Sequence, residues 1–262
     1  MTTDKMIARK TDGIGWLIFN NPERHNAVSL EMWEAAIEII ADFRADPEVR
    51  VVVVRGAGEK SFVSGADISK FDDERAQEAA VQRYEEATEG TYSALRAMEK
   101  PTIAMIHGYA IGGGANLAVC CDLRICSETA KFAIPAAKLG LGYGYARIRR
   151  LMEVVRPSFA KEIFFTARQF DAEEARAMGL ANRIVPQAEL ETYVTDYART
   201  IAANAPLTVT AIKQIVTEAL KDDADRDLAL CDRLVKACFE SEDYAEGRRA
   251  FAEKRKPVFK GR

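Results

Sequence analysis

Three consecutive glycines, Gly112, Gly113 and Gly114, stand where a buried strand is predicted to give way to a core helix. The apolar run at residues 102–106 predicts the strand, and the apolar stretch after the glycines predicts the helix. The first N–H groups of a helix have no acceptor within it and lie at the positive end of its dipole. Glycines leave that backbone open to a ligand oxygen, so the stretch is suited to holding an anion or a developing oxyanion.

The sequence offers few residues for phosphate-binding, metal-binding or histidine-based catalytic sites. A glycine-rich turn before a core helix is structural more often than not, and this one has neither the GxGxxG nor the GxxxxGK[ST] spacing. The chain has 2 histidines and 5 cysteines with no CxxC pair, so we predict neither a metal site nor a Ser-His-Asp triad. We interpret His107 as a packed residue at a strand end rather than as a base.

Composition predicts a folded chain with a sizeable core. It has 262 residues, 48% of them hydrophobic, and 8 prolines. The formal net charge of −3 gives no reason to expect nucleic-acid or membrane-surface binding. The sequence contains no signal-peptide pattern and no run of about 18 apolar residues. We therefore expect a cytoplasmic protein.

Hydrophobic periodicity predicts strands early in the chain and helices late in it. Ser29 is a plausible N-cap for a helix that reaches about residue 44. Predicted strands lie at residues 6–10, 14–19, 51–54, 102–106, 123–126, 131–134 and 182–185, and a further short strand opens the segment 61–71 before its Gly-Ala-Asp turn. Predicted helices lie at residues 72–98, 112–121, 157–166, 172–178, 189–204, 207–220, 226–240 and 244–254, and a glycine-rich loop lies at 140–144. Strand, glycine turn and helix recur at Val51 and Thr102, which indicates an α/β fold with a repeated unit.

Six motifs occur in an order that resembles the crotonase (enoyl-CoA hydratase/isomerase) superfamily. They are NPERHNAV, SFVSGADISKF, HGYAIGGGANLAVCCDLRIC, KFAIPAAKLGLG, FFTARQFDAEEARAMGLANRIVP and FAEKRKPVF. The resemblance implies a superhelix of repeated ββα units at residues 1–200, carrying an acyl-CoA site, and a helical oligomerisation region at 201–262. It also implies a homotrimer or a hexamer built as a dimer of trimers. Coenzyme A would enter as part of the substrate, with no other cofactor.

The resemblance assigns two backbone donors and a set of coenzyme A contacts. The N–H groups of Ala66, in the GAD turn, and Gly113 would hold the thioester oxyanion of an enolate. For Lys254, a solvated lysine is an equally good interpretation. The positions that match coenzyme A contacts, the last two from a neighbouring subunit, are Arg24, Ser64, Asp67, Ile68, Phe251 and Lys254.

Two positions depart from the pattern of a hydratase in this superfamily. Such a hydratase uses two glutamates, and this chain has Asn116 and Ala136 in their places. Asparagine forms hydrogen bonds but exchanges no proton near neutral pH, and alanine does neither. Hydration by the usual pair of carboxylates is therefore not expected.

Three side chains in the glycine-rich segment are candidates for setting specificity. Tyr143, Tyr145 and Arg147 replace residues that are usually small or proline, although each is also compatible with a surface position. The segment also resembles the methylmalonyl-CoA decarboxylase branch, which has a tyrosine at the position of Tyr143. Loss of CO₂ forms an enolate without a base, and Arg147 could bind the carboxylate. That branch keeps an acid where this chain has Asn116, so the match is incomplete.

The leading interpretation is an acyl-CoA enzyme of lyase or isomerase type that works through a thioester enolate. Hydration by an unusual polar set, isomerisation, decarboxylation and hydrolysis all remain open. A second interpretation is a non-catalytic scaffold that binds acyl-CoA. The absent carboxylates favour the scaffold, whereas the intact GAD and GGG motifs, which serve carbonyl activation, favour an enzyme.

Overall fold

The computed structural model describes residues 3–67 and 78–262, which form two β-sheets covered by helices. The strands are β1 (Met6–Thr11), β2 (Ile14–Phe19), β3 (Val51–Gly56), β4 (Ser61–Val63), β5 (Thr102–Ile106), β6 (Tyr109–Ile111), β7 (Leu123–Ser127), β8 (Lys131–Ala133) and β9 (Arg183–Val185). Within the described residues the α-helices are α1 (Leu30–Ala45), α2 (Glu78–Arg96), α3 (Gly113–Val119), α4 (Tyr145–Met152), α5 (Pro157–Thr166), α6 (Ala172–Met178), α7 (Leu190–Ala202), α8 (Pro206–Ala219), α9 (Leu228–Glu240) and α10 (Glu242–Ala252).

The predicted repeat is present and links the two sheets. The larger sheet has the order β1-β2-β3-β5-β7-β9 and the smaller one the order β4-β6-β8. Each of β3, β5 and β7 therefore belongs to the larger sheet, and the strand that follows it belongs to the smaller one. Only β1 and β2 pair antiparallel, and the other pairs are parallel. Parallel pairing requires crossover connections, which helices and the second sheet provide.

Strand β3 lies at the centre of the larger sheet and is buried on both faces. Val52 and Val54 face the core cluster that includes α1 and α2, whereas Val51 and Val53 face the cluster beneath α7. Successive side chains of a strand point to opposite faces, so one four-valine run contributes to both cores. The sequence prediction of a doubly buried strand is confirmed.

Several element boundaries differ from the sequence predictions. Strand β6 lies between β5 and the glycines and was missed, because its 3 residues were assigned to the turn between the predicted strand and helix. Helix α3 ends at Val119 rather than at residue 121, because Cys120 begins the turn into β7. Helix α4 was also missed, and it contains three arginines among its 8 residues. The helix expected at 72–98 is described from Glu78 to Arg96, and its first predicted residues lie outside the described part.

The loop between β2 and α1 is held by a buried asparagine. Asn26 has a left-handed backbone, with φ of 54°, a conformation that asparagine tolerates better than most residues. Its side-chain oxygen accepts from Asn21 N–H at 2.9 Å, and its amide donates to the carbonyls of Ala57 at 3.0 Å and Ser61 at 2.7 Å. This side chain therefore joins the loop to both ends of the β3–β4 connection.

We expect Asn26→Ala to lower the free energy of unfolding by about 2–4 kcal/mol, because it leaves buried backbone groups without partners. Asn20→Ala is the matched control, since Asn20 donates a single exposed hydrogen bond to the Asp4 carbonyl. It should cost less than about 1 kcal/mol. Urea unfolding of both variants measures the difference, and equal losses would contradict the role given to Asn26.

Candidate functional site

The GAD turn presents the N–H of Ala66 away from the neighbouring chain. The carbonyl of Gly65 accepts from Val28 N–H at 2.9 Å, and Asp67 N–H donates to the Val28 carbonyl at 3.0 Å. The Gly65 carbonyl and the Ala66 N–H belong to one trans peptide plane and point in opposite directions. Fixing that carbonyl on Val28 therefore aims the Ala66 N–H to the other side. No backbone acceptor for it is found among the described residues.

The glycine turn presents a second N–H in a similar way. Gly112 has φ of 56°, which suits glycine, and its N–H donates to the Ala133 carbonyl at 2.8 Å. Helix α3 begins at Gly113, whose N–H has no acceptor within the helix. The Gly112 carbonyl, in the same peptide plane, accepts from Asn116 N–H at 3.2 Å. The Gly113 N–H is thus left pointing out of the helix start.

The structure brings these two turns together. A Cβ atom on Gly65 would lie 3.8 Å from the Gly113 nitrogen, and one on Gly113 would lie 3.8 Å from Gly65 Cα. A Cβ on Gly114 would overlap the Val63 carbonyl, so this glycine is required by β4 rather than by a ligand. The turns that carry these two N–H groups therefore lie close together. Two backbone donors in adjacent turns can hold an oxyanion if both point at it.

An Asn–Tyr pair lies beside these donors. Its asparagine, Asn116, occupies one of the two positions at which a hydratase of the resembled superfamily has a glutamate. Asn116 is buried, and its amide donates to the Tyr143 hydroxyl oxygen and, at 3.5 Å, to the Gly112 carbonyl. Tyr143 is half-buried and stacks edge-on against Phe164, with ring centroids 4.8 Å apart. Ala136 is buried and contributes no polar group. The only hydroxyl that Asn116 contacts within the described residues is that of Tyr143.

Burial raises the pKa of Tyr143, while the hydrogen bond from Asn116 acts in the opposite direction. The phenol therefore keeps its proton at neutral pH. A phenol in this form can donate a proton but cannot serve as a resting base.

The other two specificity candidates do not join Asn116. Arg147 forms ion pairs with Glu85 and, at 3.6 Å, with Glu89, both on α2. Tyr145 is 77% exposed at the first turn of α4. The sequence analysis did not single out either glutamate, because i,i+4 carboxylates on a charged helix are usually a solvated face.

The candidate coenzyme A contacts fall into two places. Ser64 lies against the N-terminal loop, where its hydroxyl donates to the Arg24 carbonyl at 3.5 Å. Asp67 is buried next to Ala66, and Ile68 lies outside the described residues. Phe251, which is 87% exposed, and Lys254 lie at the end of α10. Their roles stay predictions.

The described residues also bear on other chemistries. Among residues 3–67 and 78–262 there is no cluster of three or more His, Cys, Asp or Glu side chains that could hold a metal ion. In the same ranges, no helix is long and apolar enough to cross a membrane.

His107 is buried at the end of β5, and burial, reinforced by the positive charge of Arg55, lowers its pKa to about 4. It is therefore a neutral packed side chain, as its position at a strand end predicted.

Comparison with known proteins gives the family. The family model described as enoyl-CoA hydratase/isomerase matches residues 9–262. The chain belongs to the enoyl-CoA hydratase/isomerase family. The crotonase resemblance drawn from six sequence motifs is confirmed.

Relatives within the enoyl-CoA hydratase/isomerase family match along most of the chain. A crotonyl-CoA hydratase of Syntrophomonas wolfei is 34% identical over 259 residues, covering 99% of both chains. A carnitinyl-CoA dehydratase of Escherichia coli O157:H7 is 36% identical over 232 residues, covering 86% of this chain and 87% of that one. The crystal structure of an enoyl-CoA hydratase/carnithine racemase from Magnetospirillum magneticum aligns with a TM-score of 0.94 and 35% identity, covering 100% of this chain and 97% of that one. The predicted α/β fold with repeated ββα units is confirmed.

The depressed pKa of His107 predicts loss of stability in mild acid. In the unfolded chain the imidazole, with a pKa near 6.5, becomes protonated at mildly acidic pH, whereas in the folded protein it stays neutral down to about pH 4. Stability is therefore complete above pH 6.5 and falls as the pH drops toward 4, by about 2 kcal/mol between pH 7.5 and 5. Urea unfolding at both pH values should show this loss in the natural sequence and in His25→Gln. A loss of the same size in His107→Asn would contradict it.

Proposed function

We propose that this chain is an acyl-CoA enzyme that forms a thioester enolate in an oxyanion hole made by the N–H groups of Ala66 and Gly113. The observation that carries the proposal is the close approach of the turns that contain these two groups, beside the Asn116–Tyr143 pair. Relatives named crotonyl-CoA hydratase and carnitinyl-CoA dehydratase support a thioester substrate and a water-adding or water-removing reaction.

The two donors act where negative charge develops. As the thioester becomes an enolate, its carbonyl oxygen gains charge that two N–H groups stabilise. One such donor typically contributes about 3 kcal/mol to the transition state. Both peptide planes are already fixed by hydrogen bonds from their opposite sides, so little reorganisation is needed during the reaction.

Tyr143 supplies the proton chemistry that the missing glutamates cannot. In hydration, a water adds at the β-carbon as the thioester becomes an enolate. The Tyr143 hydroxyl then gives its proton to the α-carbon, and the phenolate oxygen takes the proton that the added water loses. The side chain ends as it began, and one water is consumed. The Asn116 amide donates to the Tyr143 oxygen and so stabilises the negative charge that this oxygen gains in transfer.

Decarboxylation gains no support from the site. The guanidinium of Arg147, the residue considered for a substrate carboxylate, is paired with Glu85 and Glu89. A substrate carboxylate would have to displace those pairs. Isomerisation uses the same enolate and differs only in where the proton returns.

The first test is a turnover screen by mass spectrometry. Purified protein is incubated with a short and a medium enoyl-CoA, a saturated acyl-CoA and a methylmalonyl-type CoA. We expect a gain of one water on an enoyl-CoA. Tight binding with no product across all four would overturn the proposal in favour of an acyl-CoA-binding scaffold, and loss of CO₂ would overturn the assignment of the reaction.

We expect Tyr143→Phe to lower kcat about 100-fold or more, because general acid–base groups contribute on this order. The KM should change little, since the ring and its contact with Phe164 remain. Tyr193→Phe is the matched control, because Tyr193 stacks on Tyr197 in α7 and lies in the other core cluster. Steady-state kinetics measures both variants, and unchanged kcat in Tyr143→Phe would show that another group moves the proton.

We also propose that α8–α10 mediate association into a homotrimer or a dimer of trimers, as the family resemblance implies. The three helices form an apolar groove with a volume of about 750 Å³. Several large apolar side chains in this region are exposed, which is unusual unless a second surface covers them. They include Ile212, Val216, Phe239, Phe251 and Val258.

We expect Phe239→Asp to shift the protein from three or six chains toward the monomer in sedimentation velocity, because a charge would be buried without a partner. Ile7→Asp is the control, since Ile7 is comparably apolar and exposed but lies on the edge strand β1. A natural sequence that sediments as a monomer would refute the assignment of this surface to self-association.

A further inference from the structure

Two buried tyrosines of α2 reach the two halves of the proposed oxyanion hole. Tyr84 and Tyr92 are almost fully buried and lie 8 positions apart, about 12 Å along the helix. Neither belongs to the GAD or GGG motif, and neither was singled out from the sequence. Each hydroxyl donates to a backbone carbonyl in a different turn.

Tyr92 holds the glycine turn. Its hydroxyl donates to the Gly113 carbonyl at 2.9 Å, and a Cβ on Gly113 would lie 3.2 Å from the same oxygen. The Gly112 carbonyl accepts from Asn116 N–H, so the peptide planes on both sides of Gly113 carry hydrogen bonds. Tyr92 therefore fixes the peptide plane that follows Gly113, next to the plane that carries the Gly113 N–H.

Tyr84 holds the GAD turn through one intermediate residue. Its hydroxyl donates to the Val28 carbonyl at 3.1 Å, the same carbonyl that accepts from Asp67 N–H at 3.0 Å. Val28 N–H in turn donates to the Gly65 carbonyl, whose peptide plane carries the Ala66 N–H. A carbonyl oxygen has two lone pairs, and here both are used. Tyr84 thus fixes the Val28 backbone on which the Ala66 donor depends.

Trp33 contacts both tyrosines. The indole N–H of Trp33 donates to the Tyr84 hydroxyl at 3.0 Å, and the Trp33 ring meets the Tyr92 ring edge-on with centroids 5.6 Å apart. Both tyrosines belong to one rigid helix, so a displacement of either turn must also displace α2 or break a buried hydrogen bond.

We propose that Tyr84 and Tyr92 are positioning residues that set the separation of the two oxyanion donors, a role that rests on the proposed function of Ala66 and Gly113. The distance between the donors is fixed by two points on one helix rather than by the two loops separately. Loss of either hydroxyl lets one turn relax away from the geometry that matches the enolate oxygen. Misplacement of this kind lowers turnover with little effect on binding of the rest of the substrate.

The test measures polarisation of the thioester directly. An acyl-CoA labelled with ¹³C at the thioester carbonyl is bound to the natural sequence, to Tyr92→Phe and to Tyr84→Phe, and the carbonyl stretch is recorded by infrared difference spectroscopy. We expect a shift to lower frequency in the natural sequence and about half that shift in each variant, because one of two donors is displaced. The affinity for free coenzyme A, which has no thioester carbonyl, should stay within about twofold, and kcat should fall about 10- to 100-fold.

Thr88→Val is the matched control for a purely structural effect. Thr88 is buried between the two tyrosines, and its hydroxyl donates to the Tyr84 carbonyl within α2 at 2.8 Å. This variant should lower the melting temperature yet leave the carbonyl shift unchanged. A full carbonyl shift in both tyrosine variants would overturn the positioning role. Absence of any shift in the natural sequence would instead refute the oxyanion hole itself, so the two failures are distinguishable.

Discussion

A backbone N–H can hold a reacting oxygen only if its own peptide plane is held still from the opposite side. In this protein the plane before Ala66 is fixed by Val28, and the plane before Gly113 is fixed by the first turn of α3. Because the donors are backbone groups, their geometry comes from the hydrogen bonds between Val28 and the GAD turn, from the glycine turn and from the start of α3. Gly65 and Gly112 both have positive φ, a backbone conformation that glycine adopts without the steric cost that other residues bear.

The polar groups beside the donors set limits on the chemistry. A site with two carboxylates can hold water and exchange its protons in either direction. The Asn116–Tyr143 pair has one exchangeable proton, and burial keeps that proton on Tyr143 near neutral pH. Such a site is better at giving a proton to an enolate than at removing one from a saturated substrate. Among the reactions of this family, those that begin from an unsaturated thioester therefore fit the residues best.

The sequence predicted the fold well because its signals were strong and local. The four-valine run at Val51–Val54 is typical of a buried strand, and the six motifs indicated the family. The sequence predictions failed where an element or side chain is held by residues that are distant in sequence. Helix α4 has only 8 residues, three of them arginines, and it is joined to α2 by the pairs of Arg147 and Arg150 with glutamates more than 50 residues away. Tyr92 was overlooked for the same reason, since nothing in its neighbourhood shows that its hydroxyl reaches Gly113.

The charged contacts of α4 contribute to holding Tyr143, which lies on a glycine-rich loop, next to Asn116. Gly140, Gly142 and Gly144 surround Tyr143 and leave its backbone free of side-chain constraints. Besides the contacts of Tyr143 with Phe164 and Asn116, the loop is held by α4, which begins immediately after it. Its Arg150 is buried against the Tyr92 ring, 5.5 Å from the centroid, and is paired with Glu89. The helix whose tyrosines contact both turns thus also anchors the segment that carries Tyr143, so one element, α2, supports both halves of the proposed site.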